Sequence, residues 1–117
     1  MSAAAPPGWF DWALAQAPTP HFVDADGARV HYAAWNPSDT HKPALLFAHG
    51  FLGHSRWWDF IAPFFTEHFR VHALDFSGMG RSGHRTSYDR ECFVSDLAAV
   101  LRAVQWPGMP GTAPVPR

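Results

Sequence analysis

The chain has 117 residues, of which 47% are hydrophobic and 16% charged, with a formal net charge of −1. That length allows one domain, burying roughly two-thirds of its unfolded surface. The composition excludes a highly solvated disordered chain, and the charge leaves no basic field for nucleic acid and no acidic tail.

Met1 to Pro7 carries no basic residue and no apolar core region, so it does not read as a signal peptide. No apolar run approaches membrane-spanning length. The single cysteine, Cys92, rules out an internal disulfide framework and suits a reducing compartment. These features lead to the expectation of a cytoplasmic protein with neither nucleic acid nor membrane as a partner.

Residues 1–20 are Ala- and Pro-rich around an aromatic cluster, Trp9, Phe10 and Trp12. They read as an extension with one short helical turn that lays its aromatics on a domain spanning 21–106. Within that domain, His21 to Asp24 and Arg29 to Trp35 are predicted strands joined at Asp26-Gly27, a favoured hairpin signal. A polar loop, Asn36 to Pro43, leads into Ala44-Leu45-Leu46-Phe47-Ala48. This run is apolar without alternation, as in a strand covered on both faces.

Ser55 is placed to cap a helix carrying Trp57, Trp58, Ile61, Phe64 and Phe65, with Pro63 expected to kink or restart it. Helical spacing makes most of these aromatics core. Val71 to Phe76 is the fourth strand, and the Gly-rich turn Ser77 to Gly83 follows. From near Asp89, Phe93, Leu97, Val100, Leu101 and Val104 fall at helical spacing, and Pro107 ends the pattern. Six of the last eleven residues, 107–117, are Pro or Gly, which is incompatible with a central strand. The order hairpin, strand, helix, strand, helix argues for an α/β layered fold with parallel strands.

Two segments carry chemistry. His49-Gly50-Phe51-Leu52-Gly53 lies between a buried strand and a helix, where a Gly-containing turn aims backbone N–H groups. Acyl transfer develops negative charge on a carbonyl oxygen, and such groups stabilise it. In the second segment, Asp75-Phe76-Ser77-Gly78-Met79-Gly80-Arg81-Ser82, a strand ends in Asp and a Gly-Met-Gly turn follows. In this order and spacing the two segments resemble the α/β-hydrolase fold family, over roughly residues 21–106.

The resemblance implies the N-terminal part of a mostly parallel, incomplete α/β-hydrolase sheet. It implies hydrolysis of an ester, amide or related bond of a small molecule, without a cofactor. By the same resemblance, the residue after His-Gly donates an oxyanion-hole N–H, which here is Phe51. Gly50 and Leu52 flank it as substrate-binding wall, and the segment Asp75 to Ser82 is chiefly structural. The family's nucleophile sits on a later Gly-x-Ser-x-Gly turn, followed by an acid and a His. No serine of this chain lies in that setting; Ser82 is followed directly by Gly83.

The expectation is a chain inactive alone, or a non-catalytic remnant that associates with other chains through an exposed strand edge. A downstream strand and elbow are then expected in the DNA past Arg117, with Ser or, as in epoxide and haloalkane hydrolases, Asp as nucleophile. Gly78 to Gly83 also matches Gly-x-Gly-x-x-Gly, but His84 to Tyr88 separate it from the helix a dinucleotide needs. The eight histidines show no zinc-ligand spacing, so no metal is expected.

Overall fold

A computed structural model describes residues 8–50 and 53–106. Strands β1 (Thr19–Ala25), β2 (Ala28–Ala34), β3 (Ala44–Phe47) and β4 (Arg70–Leu74) form one sheet in the order β1-β2-β4-β3. The hairpin pairs antiparallel from Thr19↔Ala34 to Ala25↔Ala28. Its turn is Asp26-Gly27, at φ 47° and 87°. Two left-handed residues give the turn twist that matches the flanking strands, and Asp and Gly tolerate that region best. The hairpin extends back to Thr19 and Pro20, two residues that the sequence pattern assigns to the extension. Pro20 fits because β1 is an outer strand, where a missing N–H breaks no ladder on the open side.

β4 is one of the two inner strands. It pairs antiparallel with β2 (Tyr32↔Leu74) and parallel with β3 (Ala44↔Arg70 to Phe47↔Ala73), so the sheet is mixed. All five of its residues are buried. β3 is the other outer strand among the described residues. Its Leu45, Leu46 and Phe47 are half-buried rather than covered on both faces.

The helix expected from Ser55 is instead two short 3₁₀ segments, Ser55–Trp58 and Ala62–Phe65. Pro63 lies in the first turn of the second, where its missing N–H has no helical partner to lose, so the chain restarts there. Ser55 does not cap; His54 occupies that position, and both the Ser55 amide and hydroxyl go to Asp75. Helix α1 (Gly8–Ala15) is longer than the single turn expected. It does lay aromatics on the domain, Trp12 and Trp9 meeting Phe64 at 5.1 and 6.0 Å between ring centroids, and Phe10 meeting Phe60 at 6.3 Å.

Helix α2 (Arg90–Ala103) starts where the pattern says it should. The Asp89 carboxylate accepts the Cys92 N–H at 2.9 Å, and the Asp89 N–H reaches back to Cys92 Sγ. Ala99, Val100 and Val104 pack with Ala25, Val30, Ala44 and Leu74 into the core. Gln105 at φ 57° ends the helix, with Gln105 N–H donating to Arg102 and Trp106 N–H to Leu101. That pair of bonds is a Schellman stop, with Gln where Gly is usual. The helix thus closes before Pro107, and residues 107–117 lie outside the described residues.

Candidate functional site

Beyond the C-terminal end of β3, His49 is buried and both its ring nitrogens are engaged. Nε2 faces the Phe76 N–H at 3.1 Å. An amide N–H can only donate, so Nε2 accepts, and Nδ1 carries the hydrogen donated to the Gly50 carbonyl at 2.7 Å. The same carbonyl accepts the Gly53 N–H at 2.9 Å. Gly53 has no room for a side chain: a Cβ would lie 2.8–2.9 Å from the Trp57 ring, the Gly50 carbonyl and His49 Cβ. The segment is therefore fixed at both ends. Of the residues expected here, Gly50 is in place, while Phe51 and Leu52 lie outside the described residues.

His49, Gly50, Phe76, Met79 and Phe93 line a cleft of about 240 Å³. Phe76 stands edge-on to both His49 (5.2 Å between ring centroids, 78° between planes) and Phe93 (5.7 Å, 87°). The cleft lies past the carboxyl ends of the parallel pair β3 and β4, where open α/β sheets bind ligands. Among the described residues its lining carries no hydroxyl, thiol or carboxylate, and its imidazole is already committed at both nitrogens. It can receive an apolar group. A larger cleft, about 820 Å³, is lined by residues such as Trp12, Asn36, Lys42 and Phe64, at the opposite ends of these strands.

Just past the end of β4, Asp75 organises the second segment. It is 1% exposed and accepts from His31 Nδ1 at 2.7 Å, the Ser55 N–H and hydroxyl, and the Arg81 N–H at 3.1 Å. Burial pushes its carboxyl up, but the His31 bond and the two backbone N–H groups outweigh that and hold it below its ordinary value. Gly80, at φ 51°, has its missing Cβ directed at this carboxylate, so the close approach needs glycine there. The Ser82 hydroxyl donates to the Asp75 carbonyl at 2.6 Å and accepts the His31 N–H at 2.8 Å, locking the loop to β2.

A second buried network went unread in the sequence. Asp96 is fully buried on α2 and accepts from Arg85 at 2.6 Å and from the Ser77 N–H at 2.8 Å. Arg85 also donates to the Ala25 carbonyl at 2.6 Å, tying hairpin, loop and helix together. The signal was available: Asp96 falls three residues after Phe93 and four before Val100, on the apolar stripe. His31 gave no comparable signal, because only the tertiary fold brings it to Asp75. Among the described residues, no three His, Cys, Asp or Glu side chains converge as a metal site, and no helix is long and apolar enough to cross a membrane.

The family model described as "alpha/beta hydrolase fold" matches residues 43–107. A serine hydrolase-like protein of Dictyostelium discoideum is 33% identical over 84 residues, covering 68% of this chain and 23% of that protein. A monoacylglycerol lipase of Mycolicibacterium smegmatis is 30% identical over 83 residues, covering 68% of this chain and 30% of its own. The solved thioesterase domain from the curacin biosynthetic pathway superposes with a TM-score of 0.68 at 27% identity, over 78% of this chain and 33% of that one. The chain thus spans about a quarter to a third of the proteins it matches here.

Proposed function

Because the chain belongs to the α/β-hydrolase fold family, we propose that it supplies the oxyanion turn of a hydrolase acting on an ester, amide or related bond. The donor is the backbone N–H of Phe51, with Gly50 and Leu52 forming the adjoining wall. The observation that carries this reading is the anchoring of the described residues on either side of the donor. His49 holds the Gly50 carbonyl at one end and the Phe76 amide across the sheet, and Gly53 closes back on Gly50. A donor works as an oxyanion stabiliser when it is aimed in advance and does not reorganise during reaction.

The nucleophile is the missing part. No Gly-x-Ser-x-Gly occurs in this sequence, and among the described residues the cleft beside Gly50 offers no nucleophilic side chain. In this reading the chain is inactive alone and handles a small-molecule substrate once a nucleophile and histidine are supplied. The serine hydrolase-like relative favours serine as that nucleophile. A cytoplasmic setting is part of the same reading, favoured by a single cysteine.

The test is a chimera in which residues 43–106 replace the matching segment of an active serine hydrolase. Ester hydrolysis is expected, and Phe51→Pro, which deletes the N–H, lowers kcat by about 10²- to 10³-fold. A chimera that keeps its full activity after Phe51→Pro contradicts the assignment.

A second reading rests on a separate observation, that β3 hydrogen-bonds to β4 alone among the described residues. Its open edge makes association with another chain the activity of this polypeptide.

A further inference from the structure

Alternation along β2 turns Val30 and Tyr32 toward α2 and leaves His31 and Ala33 on the other face of the sheet. There, two clefts adjoin. One, about 280 Å³, is lined by residues including His31, Ser55, Arg56, Asp59 and Arg81. The other, about 290 Å³, includes His54 and the buried Asp75 and shares Ser55, Arg56 and Arg81. Neither touches the Gly50 cleft.

His31 is 3% exposed, and its ring has one free edge. Asp75 is held below its ordinary value, so it is a carboxylate and can only accept; His31 Nδ1 therefore carries the hydrogen between them. That leaves Nε2 as a buried ring nitrogen with no partner among the described residues. A buried polar atom of this kind calls for a hydrogen-bond partner. The rim calls for an anion. No carboxylate lies within salt-bridge distance of the Arg81 guanidinium among the described residues, and Arg56 reaches Asp59 only at 3.5 Å with its side chain 79% exposed. Asp75, the nearest buried anion, is already taken by four donors.

A ligand suited to this place presents several anionic oxygens on a compact centre, one of which can carry a hydrogen. We propose that the paired clefts bind a hydrogen phosphate group, one of its oxygens meeting His31 Nε2 and its others accepting from Arg81 and Arg56. A carboxylate of similar size has only two oxygens to divide among these three groups. Both inorganic phosphate and a phosphate monoester present the required group. The site is independent of the hydrolase reading, because its test measures binding and not turnover.

The experiment titrates the full chain with sodium phosphate, glycerol 3-phosphate and sodium acetate at constant ionic strength near neutral pH. Calorimetry gives the affinity, and long-range ¹H–¹⁵N spectra of the histidines locate it. Phosphate or the monoester is expected to saturate and to move the His31 ring signals while leaving those of His68 in place. Saturation by one alone identifies the source, inorganic or ester. Arg81→Gln, which keeps the backbone N–H to Asp75, weakens binding about tenfold or more, the value of one charge-assisted hydrogen bond. Unmoved His31 signals, equal saturation by acetate, or unchanged affinity in Arg81→Gln overturns the proposal.

Discussion

His49 Nε2 accepts the Phe76 N–H at 3.1 Å, so the segments leaving β3 and β4 are joined by a side chain beyond the end of the ladder between them. Its Nδ1–H holds Gly50 at the same time. Replacing His49 by Ala removes both bonds and leaves the Phe76 amide without this partner. The expected loss is about 2 kcal/mol of stability. Hydrogen exchange at Phe76 should rise with it, and an unchanged rate there means the imidazole does not bridge the two segments.

Arg85 and Asp96 form the other decisive pair, at 2.6 Å with Asp96 fully buried. Truncating Arg85 to Ala leaves a buried carboxylate with only the Ser77 N–H, so about 3 to 5 kcal/mol of stability is expected to go. Arg85→Ala combined with Asp96→Ala should lose less than the sum of the two single changes, since the stranded charge goes too. Additive losses in urea unfolding would show that the pair is not coupled.

These two pairs mark where the sequence could and could not be read. Asp26-Gly27 announced its hairpin because only left-handed-tolerant residues make that turn, and Asp89 announced α2 because a cap is a local device. Both stand where the pattern puts them. Ser55 misled for the same reason: it has cap chemistry, but Asp75, twenty residues away, takes its amide and hydroxyl instead. Pro63 marked the restart between the two 3₁₀ segments, but their 3₁₀ form, the His31–Asp75 contact and the sheet order are tertiary outcomes that no local pattern encodes. Of the candidate site, the glycines were legible where the backbone demands them, at Gly53, which has no room for a Cβ, and at Gly78 and Gly80, which have positive φ. The roles of the His49 nitrogens were not, since they depend on where Phe76 arrives.

His72 sets the acid limit. Burial on β4 lowers its pKa from 6.5 to about 4, so it is neutral in the folded chain. Between those values the unfolded chain binds more protons. Stability is therefore full above pH 6.5 and falls by about 3 kcal/mol as the pH drops to 4. Asp75, also held below its ordinary value, adds a further loss at lower pH. Urea midpoints taken at neutral pH and at steps down to about 4 should trace this decline, and His72→Leu should flatten it. A wild-type midpoint that is constant over that range contradicts the assignment.

The open edge of β3 carries the association reading. Leu45, Leu46 and Phe47 are only half-buried, and a net charge of −1 offers little repulsion between copies. Light scattering should show mass rising with concentration, and Leu46→Lys should reduce it. Because Leu46 also packs against the core, circular dichroism of the variant must first show it folded. A sharp monomer at high micromolar concentration, unfolding cooperatively, removes the second reading.

The most direct measurement is turnover by the isolated chain. The central claim is that this polypeptide carries an oxyanion turn at Gly50 and Phe51 without the nucleophile it serves. Purified chain mixed with short p-nitrophenyl esters is therefore predicted to release p-nitrophenol at the buffer rate, for wild type and Phe51→Pro alike. Turnover by the wild type that disappears in Phe51→Pro would show a working site within these 117 residues and contradict the account.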